Sequence, residues 1–279
     1  MKWMLALLIT ALAWTTPACS DDTAMLWDVN TGTEVALQNA AENFPRGGIV
    51  FVGEQHDEEA HHQAQLEVIR AAHEAGLDLA VGLEMIQHRD QEYLDRWIVK
   101  DIGTMELSET FARNWGHNFK LYQPIFEYCR GQGIPMVGLN VPRGITRKVA
   151  RNGFESLNEE ERGQLPPITC EVGPEYENFL RRVVGAHGHG GGGTFERFCE
   201  AQLVWDTAMA VYALEYLDNH PDKTMVVLLG MVHAWKPATP RQVQRRSPET
   251  PGVVIQPLEE GRWDRSTTRP VDADYLFLR

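Results

Sequence analysis

The chain has 279 residues, 43% of them apolar, with 26 lysines and arginines against 39 aspartates and glutamates, giving a formal net charge of −13 and a pI of about 5.2. That length and apolar content bury a substantial core, most simply within one domain. The acidic balance and the lack of any basic block exclude a phosphate-backbone footprint, and with it nucleic acid as a partner.

Residues 1–18 begin with one lysine and continue as an apolar run too short to span a bilayer, the pattern of an export signal peptide. The run ends at Thr16-Pro17-Ala18-Cys19, ahead of the acidic Ser20-Asp21-Asp22. A small residue followed by cysteine resembles a bacterial lipobox. Residues 19–25 are therefore expected to tether the chain through a lipid on Cys19, on the periplasmic side of a membrane, with the folded domain spanning 26–279. Cleavage after Ala18 with Cys19 unmodified is the alternative. An exported chain can form disulfides, which predicts a Cys170–Cys199 pair and leaves Cys129 as a buried thiol.

Residues 25–28 and 33–35 read as short edge strands around a turn at Asn30-Thr31-Gly32, followed by a helix over about 36–43. Ile49-Val50-Phe51-Val52 is a buried strand that stops at Gly53 and releases the chain into Glu54-Gln55-His56-Asp57. Asp57 is the expected cap of a helix whose Ala60, Ala64, Val68, Ala72 and Ala75 recur at helical spacing and which Gly76 ends. A second strand over 78–84 again finishes on a carboxylate, Glu84. Helices follow around 91–99 and 108–115, then one opening at Tyr122-Gln123-Pro124, with the proline expected in its first turn. A third strand covers 134–140. Strand and helix alternate, which predicts an α/β fold: an α/β/α layered domain with a central, mostly parallel sheet and right-handed crossovers.

A helical insertion is expected at about 141–200. Within it, His187-Gly188-His189 and the following glycines form either a mobile linker or a lid whose histidines reach a metal. Residues 195–217 form the longest predicted helix, with Gln202 and Asp206 one turn apart and able to face a common neighbour. Residues 224–230 are a fourth core strand, and shorter strands at 252–255 and 274–278 complete the sheet.

Three core strands thus end in ionisable groups: Glu54 with His56, Glu84, and His233. In an open α/β sheet the ligand crevice lies at the carboxyl ends of the strands, so these groups are expected to meet there. Gly53 and Gly230 head two copies of G-x-x-H, where a glycine lets the backbone turn and leaves room for a ligand. Two imidazoles and two carboxylates, His56, His233, Glu54 and Glu84, suit a divalent metal such as Mn, Co or Zn. They equally suit a carboxylate-activated histidine acting as a general base. On its own segment, Glu54–His56 also reads as a hydrogen bond tying a loop to a helix start.

The motif set resembles the ChaN-like haem-binding lipoproteins of the wider Tiki and erythromycin-esterase-like superfamily. The residues that carry the resemblance are Gly53 to Asp57 with His62 and Gln65, Gly82 to Met85 with Gln91, Tyr122 to Phe126, Ile134 to Arg143, Ala201 to Ala210, and Gly230 to His233. The resemblance implies an exported protein of iron or haem uptake that holds haem at a homodimer interface, with a tyrosine on the iron and basic or histidine side chains at the propionates. Tyr122 is the candidate ligand, with His117 and Lys120 beside it for the propionates and His187 and His189 as further donors. The competing reading of Tyr122 is an aromatic packed on the sheet with its hydroxyl wet. The superfamily resemblance implies a second function, metal-dependent peptide or ester hydrolysis by Glu54, His56, Glu84 and His233.

Overall fold

The computed structural model describes residues 24–184, 194–261 and 263–278. The expected signal peptide, Cys19 and residues 19–23 of the expected tether, and the His187 and His189 loop, lie outside the described residues, whereas Met25, expected as the tether's last residue, opens the first strand. Strands β1 (Met25–Asp28), β2 (Thr33–Ala36), β3 (Ile49–Glu54), β4 (Leu79–Gln87), β5 (Met136–Asn140), β6 (Thr224–Gly230), β7 (Gly252–Pro257) and β8 (Tyr275–Leu278) form one sheet in the order β2-β1-β8-β7-β3-β6-β4-β5. The run from β8 to β5 is parallel throughout, and β1 is antiparallel to both β8 and β2. The helices are α1 (Leu37–Ala41), α2 (Glu59–Glu74), α3 (Gln91–Ile98), α4 (Thr104–Asn114), α5 (Phe119–Gln132), α6 (Arg143–Asn152), α7 (Glu159–Arg162), α8 (Pro174–Val184), α9 (Phe195–Asn219), α10 (Met231–Ala234) and α11 (Thr239–Arg246).

Successive side chains of a strand face opposite sides of the sheet, so a parallel strand covered by helices on both faces is apolar throughout. In β3, Val50 and Val52 join the core beneath α1 to α5, while Ile49 and Phe51 join the core beneath α8 to α11. In β6, Val226 and Leu228 face the first layer and Met225, Val227 and Leu229 the second. The fold is the expected α/β/α sandwich. Between β5 and α9 the regular elements described are helices, separated by an irregular stretch over 163–173, and Ile145, Val149, Phe154 and Leu157 build a small core against Ala201, Val204 and Ala208 of α9.

The topology places a crevice. From β3 the chain crosses β6 to reach β4 and β5, then returns to β6 and crosses β3 to reach β7 and β8. The direction of winding reverses at the β3–β6 pair, where Glu54 lies directly opposite Gly230. Ligands of open parallel sheets bind outside the strand ends at such a reversal.

Several local expectations are corrected. Asp57 does not cap α2; Glu58 N–H donates to the Gln55 carbonyl in an intervening turn, and the helix begins at Glu59. Helix α5 begins earlier than predicted, at Phe119, because the Asn118 side chain accepts from Lys120 N–H and caps it. Pro124 therefore lies inside the helix rather than in its first turn. Strand β4 runs on to Gln87, so Glu84 does not end it; pairing with β6 stops at Leu83, which frees the Glu84 carbonyl for the Asn140 side-chain amide at 2.6 Å. Cys170 and Cys199 are not joined. All three described cysteines are free, Cys170 Sγ donates to the Glu200 carbonyl, and Cys199 is buried on α9. Burial pushes the Cys170 and Cys199 thiols up to about 12, which keeps them protonated.

Candidate functional site

Strand β3 delivers Glu54, only 1% exposed, to the centre of the crevice. A buried carboxylate needs several donors to offset its desolvation. Here the carboxylate accepts from His56 Nδ1 at 2.6 Å and from the Tyr122 hydroxyl at 3.0 Å, and His62 Nδ1 stands 3.1 Å from its other oxygen. The Trp115 indole N–H donates in turn to the Tyr122 oxygen at 3.3 Å. Gln65 of α2 donates to the Val52 carbonyl, fixing α2 against β3. The motif His62 and Gln65 thus lies behind Glu54 and braces it.

The second centre is His233, in the short α10 that follows β6. Its Nδ1 lies 2.7 Å from Asp206 Oδ1, and its Nε2 lies 3.8 Å from Glu84 Oε1. Asp206 is 1% exposed and also accepts from the Thr239 hydroxyl at 2.9 Å and from the Tyr176 hydroxyl. Glu84 Oε2 accepts from Gly230 N–H at 2.6 Å. The close approach at Gly230 joins the two centres: a Cβ there would meet His56 Cε1 at 2.8 Å, His56 Nε2 at 3.3 Å and Glu84 Oε2 at 3.5 Å. The room at Gly230 is filled by His56, and that at Gly53 by the Gln256 amide, whose oxygen a Cβ would meet at 2.0 Å. Both glycines are therefore required by packing neighbours, where the sequence suggested space for a ligand.

The four strand-end residues Glu54, His56, Glu84 and His233 do converge. Each histidine has a carboxylate on Nδ1, which leaves Nε2 for the crevice. Burial lowers the His56 pKa, but its hydrogen bond to Glu54 and the charges of Glu84 and Glu54 outweigh it, and the net shift is upward. Burial likewise opposes charge on His233, yet Glu84 and Asp206 raise its pKa to about 9. Among the described residues no three His, Cys, Asp or Glu side chains are grouped to hold a metal ion. The arrangement is two hydrogen-bonded dyads, Glu54–His56 and Asp206–His233, with the Glu84 carboxylate between them.

The structure also moves Tyr122 from its expected place. It is fully buried beneath Glu54, and burial first, then the Glu54 charge, push its pKa far up. His117 and Lys120 instead lie at the crevice mouth, beside a recess of about 380 Å3 floored by Phe111 and Phe119. The His117 ring stands 4.8 Å from His56 and 5.6 Å from Trp115, and burial together with the His56 charge lowers its pKa. The Arg143 guanidinium, at the start of α6, lies 5.9 Å from the Trp115 ring. Gln202 is buried on α9 one turn before Asp206. Sequence reasoning missed Thr239 and Tyr176, which no motif marks. It named Asp206 but not its role as partner of His233; a carboxylate amid Leu203, Met209 and Ala210 on a buried helix face was the available signal.

The chain matches the family described as "Haem-binding uptake, Tiki superfamily, ChaN" over residues 40–243. Among solved structures it is similar to ChaN of Campylobacter jejuni, described as binding haem cofacially, with a TM-score of 0.70 at 20% identity, covering 92% of this chain and 97% of that one. An erythromycin esterase in its open conformation is a more distant neighbour, with a TM-score of 0.46 at 12% identity over 83% of this chain and 76% of that one. A curated relative, protein RETICULATA-RELATED 5, chloroplastic, of Arabidopsis thaliana, is 25% identical over 126 residues, which are 43% of this chain and 17% of that protein; the match spans about a sixth of the relative's length. With the family match extending from α1 to α11 across the whole crevice, the chain belongs to the ChaN haem-binding family of the Tiki superfamily.

Proposed function

We propose that the chain binds haem at the crevice mouth, between the Trp115–Lys120 segment and the start of α6, and takes part in haem or iron uptake. Membership of the haem-binding family over residues 40–243 carries the reading. The local chemistry fits the group. His117 is exposed and its lowered pKa keeps the imidazole neutral, the form that can ligate iron. The 78% exposed Met105 offers apolar surface to a macrocycle over a floor of buried Phe111 and Phe119, and Lys120 and Arg143 have no carboxylate partner among the described residues, so both can meet propionates. A recess of about 380 Å3 covers only part of a haem, so a second copy of the chain completes the site in this reading. Export with a lipid on Cys19 belongs to the same proposal and is supported by the pattern of residues 1–19.

Hemin titration of the chain, followed at the Soret band, tests it. Saturable binding is expected, with the spectrum altered in His117→Ala and unchanged in Tyr122→Phe. Absence of saturable binding overturns the reading, and a spectrum that responds to Tyr122→Phe alone overturns the ligand assignment.

A second reading, ester or amide hydrolysis, is favoured by the paired dyads. In it Glu54 orients His56, Asp206 orients His233, and the imidazoles exchange protons with a bound substrate beside Glu84. The Trp205 indole N–H, buried next to His233 without an acceptor, is a donor that a substrate oxygen would satisfy. Turnover of a p-nitrophenyl ester panel that disappears in His56→Ala supports this reading, and turnover equal in the two proteins removes it.

A further inference from the structure

A second cleft, of about 830 Å3, lies on the α8 and α11 side of the sheet, outside the dyads and the haem recess. Its lining has five cations, Arg182, Lys236, Arg241, Arg245 and Arg269, against the carboxylates Glu175 and Asp272. The chain as a whole has a net charge of −13, so this local excess of positive charge runs against the composition.

Two features distinguish the cluster from a solvated basic surface. The first is that it is braced from beneath. Asp272 is 4% exposed, and its carboxylate accepts from Arg182 Nη2 and, at 3.2 Å, from Arg269 Nε. One buried anion therefore orients two guanidiniums, each of which retains further N–H donors. Lys236 is held in the same way by Asp274 at 2.7 Å and the Pro270 carbonyl at 2.6 Å. The second feature is that Arg241 and Arg245, one turn apart on α11, make no ion pair with any described residue. Arg245 lies in the last turn, where a cation complements the helix dipole, but Arg241 lies in the first turn, where a cation opposes it. Helix stability does not account for Arg241. Its orientation toward the same cleft as Arg245, Arg182 and Arg269 does, if an anion is bound there.

We propose that this cleft binds a small organic oxyanion of two or more negative charges, gripped by Arg241 and Arg245 from α11 and by the Asp272-oriented Arg182 and Arg269 from the opposite wall. The ligand chemistry is a phosphate ester, a diphosphate or a polycarboxylate. It is independent of the haem reading, since none of these residues borders the His117 recess.

Calorimetric titration of the haem-free full chain with inorganic pyrophosphate and, separately, with citrate tests the proposal. Saturable binding of at least one probe is expected, weakening as salt is added. Tighter binding of pyrophosphate assigns phosphate chemistry, and tighter binding of citrate assigns carboxylate chemistry. Arg241→Glu/Arg245→Glu, at two exposed positions, is expected to weaken the preferred probe roughly ten- to hundredfold, the equivalent of losing one charge-assisted hydrogen bond. The charge-matched control Arg147→Glu/Arg151→Glu, on α6, is expected to bind like the unmodified chain. Failure of both probes to saturate overturns the proposal, as does equal weakening in the α11 and α6 variants.

Discussion

His233 shows how one residue couples the crevice to the stability of the molecule. Its pKa in the folded chain is about 9, above the ordinary histidine value near 6.5, because Asp206 and Glu84 together outweigh its burial. A pKa raised on folding means that the protonated form favours the native state. That contribution is fully present below about pH 6.5 and is lost as pH rises through about 9, and a shift of this size amounts to something on the order of 3 kcal/mol. Asp206→Asn removes one of the two carboxylates responsible. The variant is expected to titrate His233 at a lower pH, readable from the imidazole resonances, and its melting temperature should decline less between pH 6.5 and 9 than that of the unmodified chain. Loss of the Thr239 and Tyr176 bonds to Asp206 adds a cost that does not depend on pH in this range, so the two melting curves are expected to converge with rising pH without meeting. A His233 resonance that titrates identically in both proteins would remove Asp206 as the cause.

At the scale of elements, the parts of the fold legible in the sequence are those whose signal is local. The apolar runs of β3 and β6 are unbroken because both faces of each strand are covered, and their ends at Glu54 and Gly230 are visible as abrupt changes of composition. Glu84 stands out in the sequence because an apolar run stops on it, yet β4 continues past it; what ends at that point is pairing with β6, a property of two strands that neither sequence segment carries. The true start of α5 was hidden for a related reason. Proline is most easily read as a helix-opening residue, whereas Asn118 four residues before Tyr122 supplies the actual cap. Asn118 also fixes the segment that carries His117 and Lys120. Asn118→Ala is expected to destabilise the chain by about 1 kcal/mol, the usual worth of an N-cap, as measured by denaturant unfolding. Because His117 precedes the cap and Lys120 N–H is its donor, the same variant is expected to weaken hemin binding; an unchanged hemin affinity would show that the cap serves stability alone.

At the scale of the whole molecule, the site was legible as a list of residues but not as two opposed dyads. The pairing of Asp206 with His233 joins α9 to α10, and that of Tyr122 with Glu54 joins residues 68 apart in the chain; such distances leave no periodic trace. The same holds for the way the sheet is finished. The sequence presents β1, β2 and β8 as three short strands at opposite ends of the chain, yet β1 lies between β2 and β8, so the first and last described strands are zipped together along Met25–Leu278 to Asp28–Tyr275. Strand β8 in turn flanks β7 on that side, and its Leu276 is completely buried. Deleting residues 275–279 would remove that bridge, open an edge on β7, and detach the β1–β2 hairpin, which a two-stranded unit of this size cannot hold on its own. Open edges of parallel strands pair with other chains. The truncated chain is therefore expected to melt at a lower temperature and to associate as its concentration is raised, measured by thermal unfolding and size-exclusion chromatography. Because the crevice lies at the β3–β6 reversal, two strands away from β8, the dyads depend on this closure only through the stability of the sheet; a truncated chain that stays monomeric and melts like the full one would show that β1 and β2 contribute nothing to that stability.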